Sequence, residues 1–274
     1  MTQQEFFKNA KWVGASERTT ETFSVLRGYF EVADAKSVSL NILGLGFFKC
    51  YINGECINPH SFLPLSSDFE AGCDPVDEVI SHHRVYVSQF DITPYIKNGE
   101  NSIAIHFGGG WYTFRNRAFG LPKAIYCLTV DDKNGTTDFI SDEGCRVGKS
   151  FVCGYEFNQS EHHDYNHYNN CFAPDFDDSG WENAVPTEVL DTDYCTTDCP
   201  TDTLIEELSV KKINETENSV IYDCGENTTG HVLLKIDAPK GEKITVRFSE
   251  ELSADGSIDE EHHHDQAFTA ISDG

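Results

Sequence analysis

The 274 residues carry 46 acidic against 20 basic side chains, a formal charge of −26, with 39% hydrophobic and 12% aromatic residues. That balance disfavours nucleic acid and other polyanions, whose binding rests on Lys and Arg, and suits a neutral ligand or a hard cation. The length suffices for one large or two medium cores, and no apolar run approaches a membrane span.

The N-terminus, MTQQEFFKNAKW, lacks a basic stretch followed by an apolar core, so no signal peptide is expected. Ten cysteines without a leader then predict reduced thiols in a cytoplasmic protein, not a disulfide scaffold. Nineteen Phe and eleven Tyr suit the faces of β-sheets.

In chain order, Trp12 and Val13 open the first element. Residues 23–32 (FSVLRGYFEV) read as a strand bent near Gly28. Residues 36–43 place Val38, Leu40 and Ile42 on one face and Ser39 and Asn41 on the other. Gly44-Leu45-Gly46 is a short break before a strand over 47–52, in which Cys50 reads as a small core residue. Asn53-Gly54 signals a hairpin, with the return over 55–57. Residues 58–84 form a long irregular excursion, the kind of loop that is often functional. The stretch 85–112 is the most complete local unit. It reads as a strand, a short turn with Asp91 and Thr93 as cap candidates and Pro94 at its first position, a stop at Asn98-Gly99, and a strand through Ile103, Ile105 and Phe107. The glycines Gly108 to Gly110 then form a flexible corner ahead of Trp111 and Tyr112. Residues 124–130 give another strand, 131–135 a turn, and 136–140 the strand that pairs back.

Residues 141–180 are short pieces and turns. Residues 186–203 have no periodicity and carry Pro186 and Pro200, which marks a boundary near 185–205. Four short strands follow over 208–213, 220–224, 231–236 and 243–248, and the pattern stops before a second sheet can close, so a fragment is expected. No amphipathic helix longer than about two turns is predicted. The fold class is all-β: a β-sandwich domain over residues 1–200, then the start of a second, incomplete β-sandwich over 201–274.

No nucleophile elbow, Walker loop, zincin motif or dinucleotide fingerprint is present. Trp111 and Tyr112 are candidates to stack on a pyranose face, or equally to plug the end of a sandwich. Glu161-His162-His163-Asp164 puts a carboxylate on each side of a histidine pair. It offers oxygen ligands for Ca²⁺, and through a bound cation a grip on sugar hydroxyls, or it is a solvated acidic turn. His262-His263-His264 with Glu260, Glu261 and Asp265 is either a transition-metal group or a polar tail. Cys195-x-x-x-Cys199 has no second pair at zinc-finger spacing.

Taken together, several segments resemble the N-terminal region of bacterial α-L-rhamnosidases. They are Phe23-Ser-Val-Leu-Arg27 with Phe30, Gly44-Leu-Gly-Phe-Phe-Lys-Cys-Tyr-Ile-Asn-Gly54, Tyr86-Val-Ser-Gln-Phe-Asp-Ile-Thr-Pro-Tyr-Ile-Lys-Asn-Gly-Glu-Asn101, Gly109-Gly-Trp-Tyr112 and Asp175-Phe-Asp-Asp-Ser-Gly-Trp181. Tyr222-Asp-Cys-Gly-Glu-Asn-Thr-Thr-Gly230, Ile244-Thr-Val-Arg-Phe-Ser-Glu250 and Asp255-Gly256 look like the β-domain that follows. The resemblance implies a jelly-roll or galactose-binding-like first domain, and an inverting glycoside hydrolase whose catalytic acids sit in a downstream (α/α)6 barrel. No catalytic residue is therefore expected in this chain; the missing barrel and rhamnose-containing glycosides or oligosaccharides are its expected partners. The first β-domain also resembles a jelly-roll module that, in some relatives, binds rhamnose through calcium. Here Ser160-Glu-His-His-Asp-Tyr-Asn166 stands where the family has Gly-Glu-x-x-Asp-Ala-Arg, so Glu161 and Asp164 match while the arginine, a five-donor fork, is absent.

Overall fold

The computed structural model describes residues 1–70, 82–114, 119–156, 160–259 and 266–274. They form two compact units: Met1–Phe151 with Tyr168–Asp202, and Val152–His167 with Thr203–Gly274. No helix among them is long and apolar enough to cross a membrane.

The first unit contains two six-stranded antiparallel sheets. One runs in the order Val185–Pro186, Val13–Gly14, Lys123–Asp132, Ser37–Leu45, Ser88–Asp91, with Gly135–Ile140 also paired to Lys123–Asp132. The other runs Glu182–Asn183, Arg146–Lys149, Ser24–Val32, Gly99–Phe107, Phe48–Ile52, Glu55–Cys56. Alternation sets the inner faces: Val38, Leu40 and Ile42 are buried while Ser37 and Ser39 point out. Phe30 of one sheet meets Phe139 of the other, ring centres 5.8 Å apart. The Tyr126 hydroxyl reaches across to Gly28, where a Cβ would lie 2.2 Å from its oxygen. Gly28 lies within an unbroken strand, and the absence of a side chain there makes room for that hydroxyl.

Both sheets are also covered on part of their outer faces. Strand Ser37–Leu45 changes from alternating to continuous burial at its end because Leu43 and Leu45, with Ile125 and Cys127 beside them, pack under Phe6, Phe7, Trp12 and Tyr194. Phe6 and Phe7 come from a one-turn helix, Gln3–Phe7, too short for a periodic signal. Trp12 Nε1 donates to Gln3 Oε1 at 3.0 Å and ties that helix down. Lys123, opposite Leu45, has no exposed side-chain surface. Its Nζ donates to the Glu188 carbonyl at 3.0 Å, lies 3.3 Å from Glu188 Oε1, and faces the rings of Trp12 and Tyr112. Burial pulls this ammonium's pKa down, and the Glu188 carboxylate opposes the fall.

On the other sheet, Val25 and Ala104 pack under Cys171 and Phe172, joined by Phe176 and Trp181. Arg27 fixes this cover. Its guanidinium is wholly buried, donates from Nε to Asp178 Oδ2 at 3.1 Å and from Nη2 to the Ala173 carbonyl at 3.0 Å, and also reaches the Cys171 carbonyl. The Tyr29 hydroxyl closes the set by donating to Asp178 Oδ2 at 2.7 Å. A buried cation is tolerated when its donors are met in this way.

The stretch 85–112 departs from the single strand expected at its start. Arg84–Tyr86 pairs in parallel with Asp193–Cys195, and Ser88–Asp91 joins the first six-stranded sheet. Val85 and Val87 are both buried as the alternation requires. The turn at Thr93–Tyr95 is a 3-10 helix with Pro94 at its start, and Gly99 follows at φ +94°.

The second unit holds a four-stranded sheet in the order Val152–Glu156, Ser160–Asp164, Ala267–Ile271, Lys243–Arg247. A separate antiparallel pair joins Lys211–Glu215 to Val220–Asp223. Residues 231–236, whose alternation predicts a strand, are not in a ladder; Val232, Leu233, Leu234 and Ile236 are exposed instead. Ala267–Ile271, which carries no clear strand signal in its sequence, is a full strand.

Candidate functional site

The loop ahead of Trp111 is a clamped corner, not a loose one. Gly108 N–H donates to the Phe47 carbonyl at 2.8 Å, and Phe47 N–H donates back to the Gly109 carbonyl. A Cβ on Gly46 would lie 2.5 Å from the Gly109 oxygen, so the approach of the two backbones requires glycine there. Gly110 adopts φ +134°, open to glycine alone at little cost.

Beyond it, Trp111–Thr113 makes one 3-10 turn that sends the two aromatics in different directions. Tyr112 is 1% exposed, lying edge-on to Phe69 at 5.3 Å and stacked near Phe119 at 6.2 Å. It is a core residue, and its hydroxyl has no hydrogen-bond partner among the described residues. Trp111 is 48% exposed and lies edge-on to Phe114 at 5.9 Å. Of the pair, only Trp111 is exposed.

The excursion after the hairpin borders the same corner. Gly46, Phe47, Pro64, Ser66 and Trp111 line a crevice that has no room for a water molecule. Phe62, 47% exposed, sits 5.6 Å from Phe47. Lys49 lies 5.9 Å from the Phe62 ring and donates to the carbonyls of Asn58, Pro59 and Ser61 at 3.0, 2.8 and 3.1 Å. Asn58 accepts from Cys50 N–H and donates to the Phe48 carbonyl. This part of the excursion is therefore anchored to the sheet. Phe62 does not stand out in the sequence, because it belongs to no motif or apolar periodic run, and Lys49 enters there only as one position of the segment 44–54. Two apolar rings beside ordered backbone suit the C–H face of a sugar.

Glu161 and Asp164 lie in the second unit on strand Ser160–Asp164. Their spacing of three puts the side chains on opposite faces of a strand, so the structure does not bring them together. Glu161 Oε1 is 2.6 Å from His163 Nε2. Asp164 Oδ1 accepts from the side chain and backbone of Asn166 at 2.9 and 3.0 Å, and its Oδ2 is 3.4 Å from His167 Nδ1. The Asn166 side-chain hydrogen bond leads in holding the Asp164 carboxyl below its ordinary range. Calcium takes six to eight oxygen ligands, and these two carboxylates do not converge on a common point. Among the described residues no group of three or more His, Cys, Asp and Glu is placed to hold a metal. The cluster Glu260, Glu261, His262, His263, His264 and Asp265 lies outside the described residues. Every cysteine among the described residues is a free thiol, Cys195 and Cys199 included.

Comparison with known proteins places this geometry. Residues 33–209 match the family model of the α-L-rhamnosidase N-terminal domain, and residues 213–274 that of the bacterial α-L-rhamnosidase concanavalin-like domain. The α-L-rhamnosidase of Streptomyces avermitilis is 24% identical over 78% of this chain and 21% of its own length. That of Alteromonas sp. is 25% identical over 89% of the chain and 28% of its own length. The chain thus spans about a quarter of the curated relatives it matches. The solved α-L-rhamnosidase of Dictyoglumus thermophilum superposes with a TM-score of 0.84 at 22% identity, covering 100% of this chain and 32% of that one. The Streptomyces avermitilis enzyme complexed with L-rhamnose gives 0.82 at 20% identity, covering 93% and 25%. Matched over more than half its residues by that first model, the chain belongs to the α-L-rhamnosidase N-terminal domain family.

Proposed function

We propose that this chain is the non-catalytic N-terminal β-region of an α-L-rhamnosidase, supporting a downstream (α/α)6 barrel that hydrolyses terminal α-L-rhamnosides. The observation that carries the reading is the pair of family matches in consecutive order, 33–209 and 213–274, on a chain about a quarter the length of its relatives. The uncovered apolar side chains of the second unit, such as Ile205 and Leu233 at 89% and 81% exposure, support it: exposed apolar surface of this kind suits a segment that is covered by a further part of a longer protein. Assay of an aryl α-L-rhamnoside tests the proposal. The 274 residues alone should give no turnover, and joining them to the downstream region of such an enzyme should give activity. Robust turnover by the 274 residues would overturn it.

A second reading, binding of rhamnose or a related glycoside by the first unit, rests on Trp111 and Phe62 beside the clamped glycine corner. Rhamnose is a deoxy sugar whose methyl group adds apolar surface for an aromatic ring. Calorimetric titration of L-rhamnose with and without Ca²⁺, on the wild type and Trp111→Ala, decides it. Millimolar binding lost in Trp111→Ala is expected; no heat at millimolar sugar rejects the reading. A calcium requirement would mean that the binding does not rest on Trp111 and Phe62 alone.

A further inference from the structure

We propose that the hairpin of Val152–Glu156 and Ser160–Asp164 is a clasp that holds the C-terminal part of the chain independently of the covalent link through residues 203–210. The second unit is assembled from two separate stretches of sequence, Val152–His167 and Thr203–Gly274. Its sheet joins them at one place: Ser160–Asp164 pairs in parallel with Ala267–Ile271 along the whole strand, Ser160 opposite Ala267 and Asp164 opposite Ile271. Both strands at that junction are central, since Val152–Glu156 flanks one and Lys243–Arg247 the other.

Side chains reinforce the ladder. The His163 ring stands edge-on to Phe268 at 4.8 Å. Asn166 Nδ2 donates to the Ser272 carbonyl at 3.2 Å. On the far side of Ala267–Ile271, Thr269, 5% exposed, lies 3.4 Å from Thr245 through their hydroxyls and Ser272 N–H donates to the Glu242 carbonyl at 2.9 Å, which ties that strand to Lys243–Arg247 and carries it with the C-terminal part. Without the hairpin, Ala267–Ile271 and Lys243–Arg247 would remain as a two-stranded ribbon, marginal in water. The link, by contrast, offers no ladder: residues 203–210 contain no strand, and Leu204 and Ile205 are 55% and 89% exposed. Parallel pairing of strands this far apart in sequence costs loop-closure entropy, so it persists only if the ladder holds firmly. The chain after the link is then held by strand addition, the mode by which an extended segment docks on a sheet edge.

The test uses the full chain with a site-specific protease sequence inserted between Glu206 and Glu207. After cleavage the two pieces should co-elute on size exclusion in native buffer and separate in denaturant. Separation in native buffer would overturn the proposal. His162→Pro, which removes a ladder position from a central strand, supplies the second measurement on uncut protein. Hydrogen exchange at Ala267–Ile271 should speed up by about tenfold or more in this variant, with Gly99–Phe107 unchanged. Equal protection of Ala267–Ile271 in the variant and the wild type would overturn the clasp even if the pieces co-elute.

Discussion

The two units carry similar strand patterns but bury their apolar residues to very different depths. In the first, Leu40, Ile42 and Ile105 are wholly buried between layers, and even parts of the outer sheet faces are covered. In the second, Val232, Leu233, Leu234 and Ile236 are exposed, and the stretch containing them forms no ladder. Alternation gives a segment the capacity to be a strand; a second layer is what turns that capacity into burial, at about 1.5–3 kcal/mol for each large apolar side chain. Strand propensity is largely a matter of packing against neighbours, and residues 231–236 have none to pack against.

Four measurements break or sharpen that contrast. The largest loss is expected for Arg27→Ala, which leaves Asp178 and the carbonyls of Cys171 and Ala173 without their shared donor. Removing one partner of a buried pair costs about 3–5 kcal/mol, read as a lowered urea midpoint; a loss below about 1 kcal/mol would mean that the cover over this sheet does not depend on the guanidinium. Next comes a matched pair of truncations. Leu40→Ala, at a wholly buried site, should cost about 2–5 kcal/mol, and Leu233→Ala, at 81% exposure, should stay within about 0.5 kcal/mol. Similar costs for the two would erase the distinction between the units.

A smaller effect, about 1–3 kcal/mol from overpacking, is expected for Gly148→Ala. A Cβ there would lie 2.1 Å from the Trp181 ring that closes the outer cover. Near-UV circular dichroism should report the displaced indole, and an unchanged spectrum with unchanged stability would show that the ring yields freely.

The smallest effect is electrostatic and confined to acid. Burial works against the Glu188 carboxylate, but hydrogen bonds from Arg18 and its own backbone, together with the Lys123 ammonium, outweigh it and bring the pKa from 4.5 down to about 2. A depressed carboxyl contributes stability that is complete above its ordinary pKa and is lost as pH falls through the folded value. Glu188 is half exposed, so the contribution is below about 1 kcal/mol. The stability gap between wild type and Glu188→Gln should therefore be constant at neutral pH and shrink between pH 4.5 and about 2. A gap that widens in acid would contradict the assignment.

Local chemistry makes much of the first unit legible from the amino-acid order alone. Asn53 and Gly54 take the positive φ values of 50° and 87° that the hairpin signal implies, and Thr93–Tyr95 turns where Pro94 marks it. What the amino-acid order does not reveal depends on distant partners. The parallel ladder of Ser160–Asp164 with Ala267–Ile271 joins segments with no shared local signal. The division of Arg84–Tyr86 and Ser88–Asp91 between two sheets is decided by Asp193–Cys195 and Ser37–Leu45. The burial of Lys123 and Arg27 is not legible in the amino-acid order, because a buried cation is recognisable only from the acceptors folded around it. Among the site candidates, adjacency along the chain is a poor guide. Trp111 and Tyr112 are neighbours, yet one faces solvent and the other the core.

Lys49 gives the excursion after the first hairpin an internal counterpart of a metal ion. Its ammonium is gathered in by three backbone carbonyls, those of Asn58, Pro59 and Ser61, much as a hard cation would be. Burial lowers its pKa. A tethered cation cannot be removed by chelators or displaced by competing salts, but it can be neutralised covalently. Acylation or carbamylation of this one amine would withdraw the charge and leave three carbonyls facing one another. The order of residues 58–61, and the position of Phe62 next to them, would thereby become sensitive to lysine-modifying chemistry. Hydrogen exchange over that loop before and after reaction with cyanate would read the change directly.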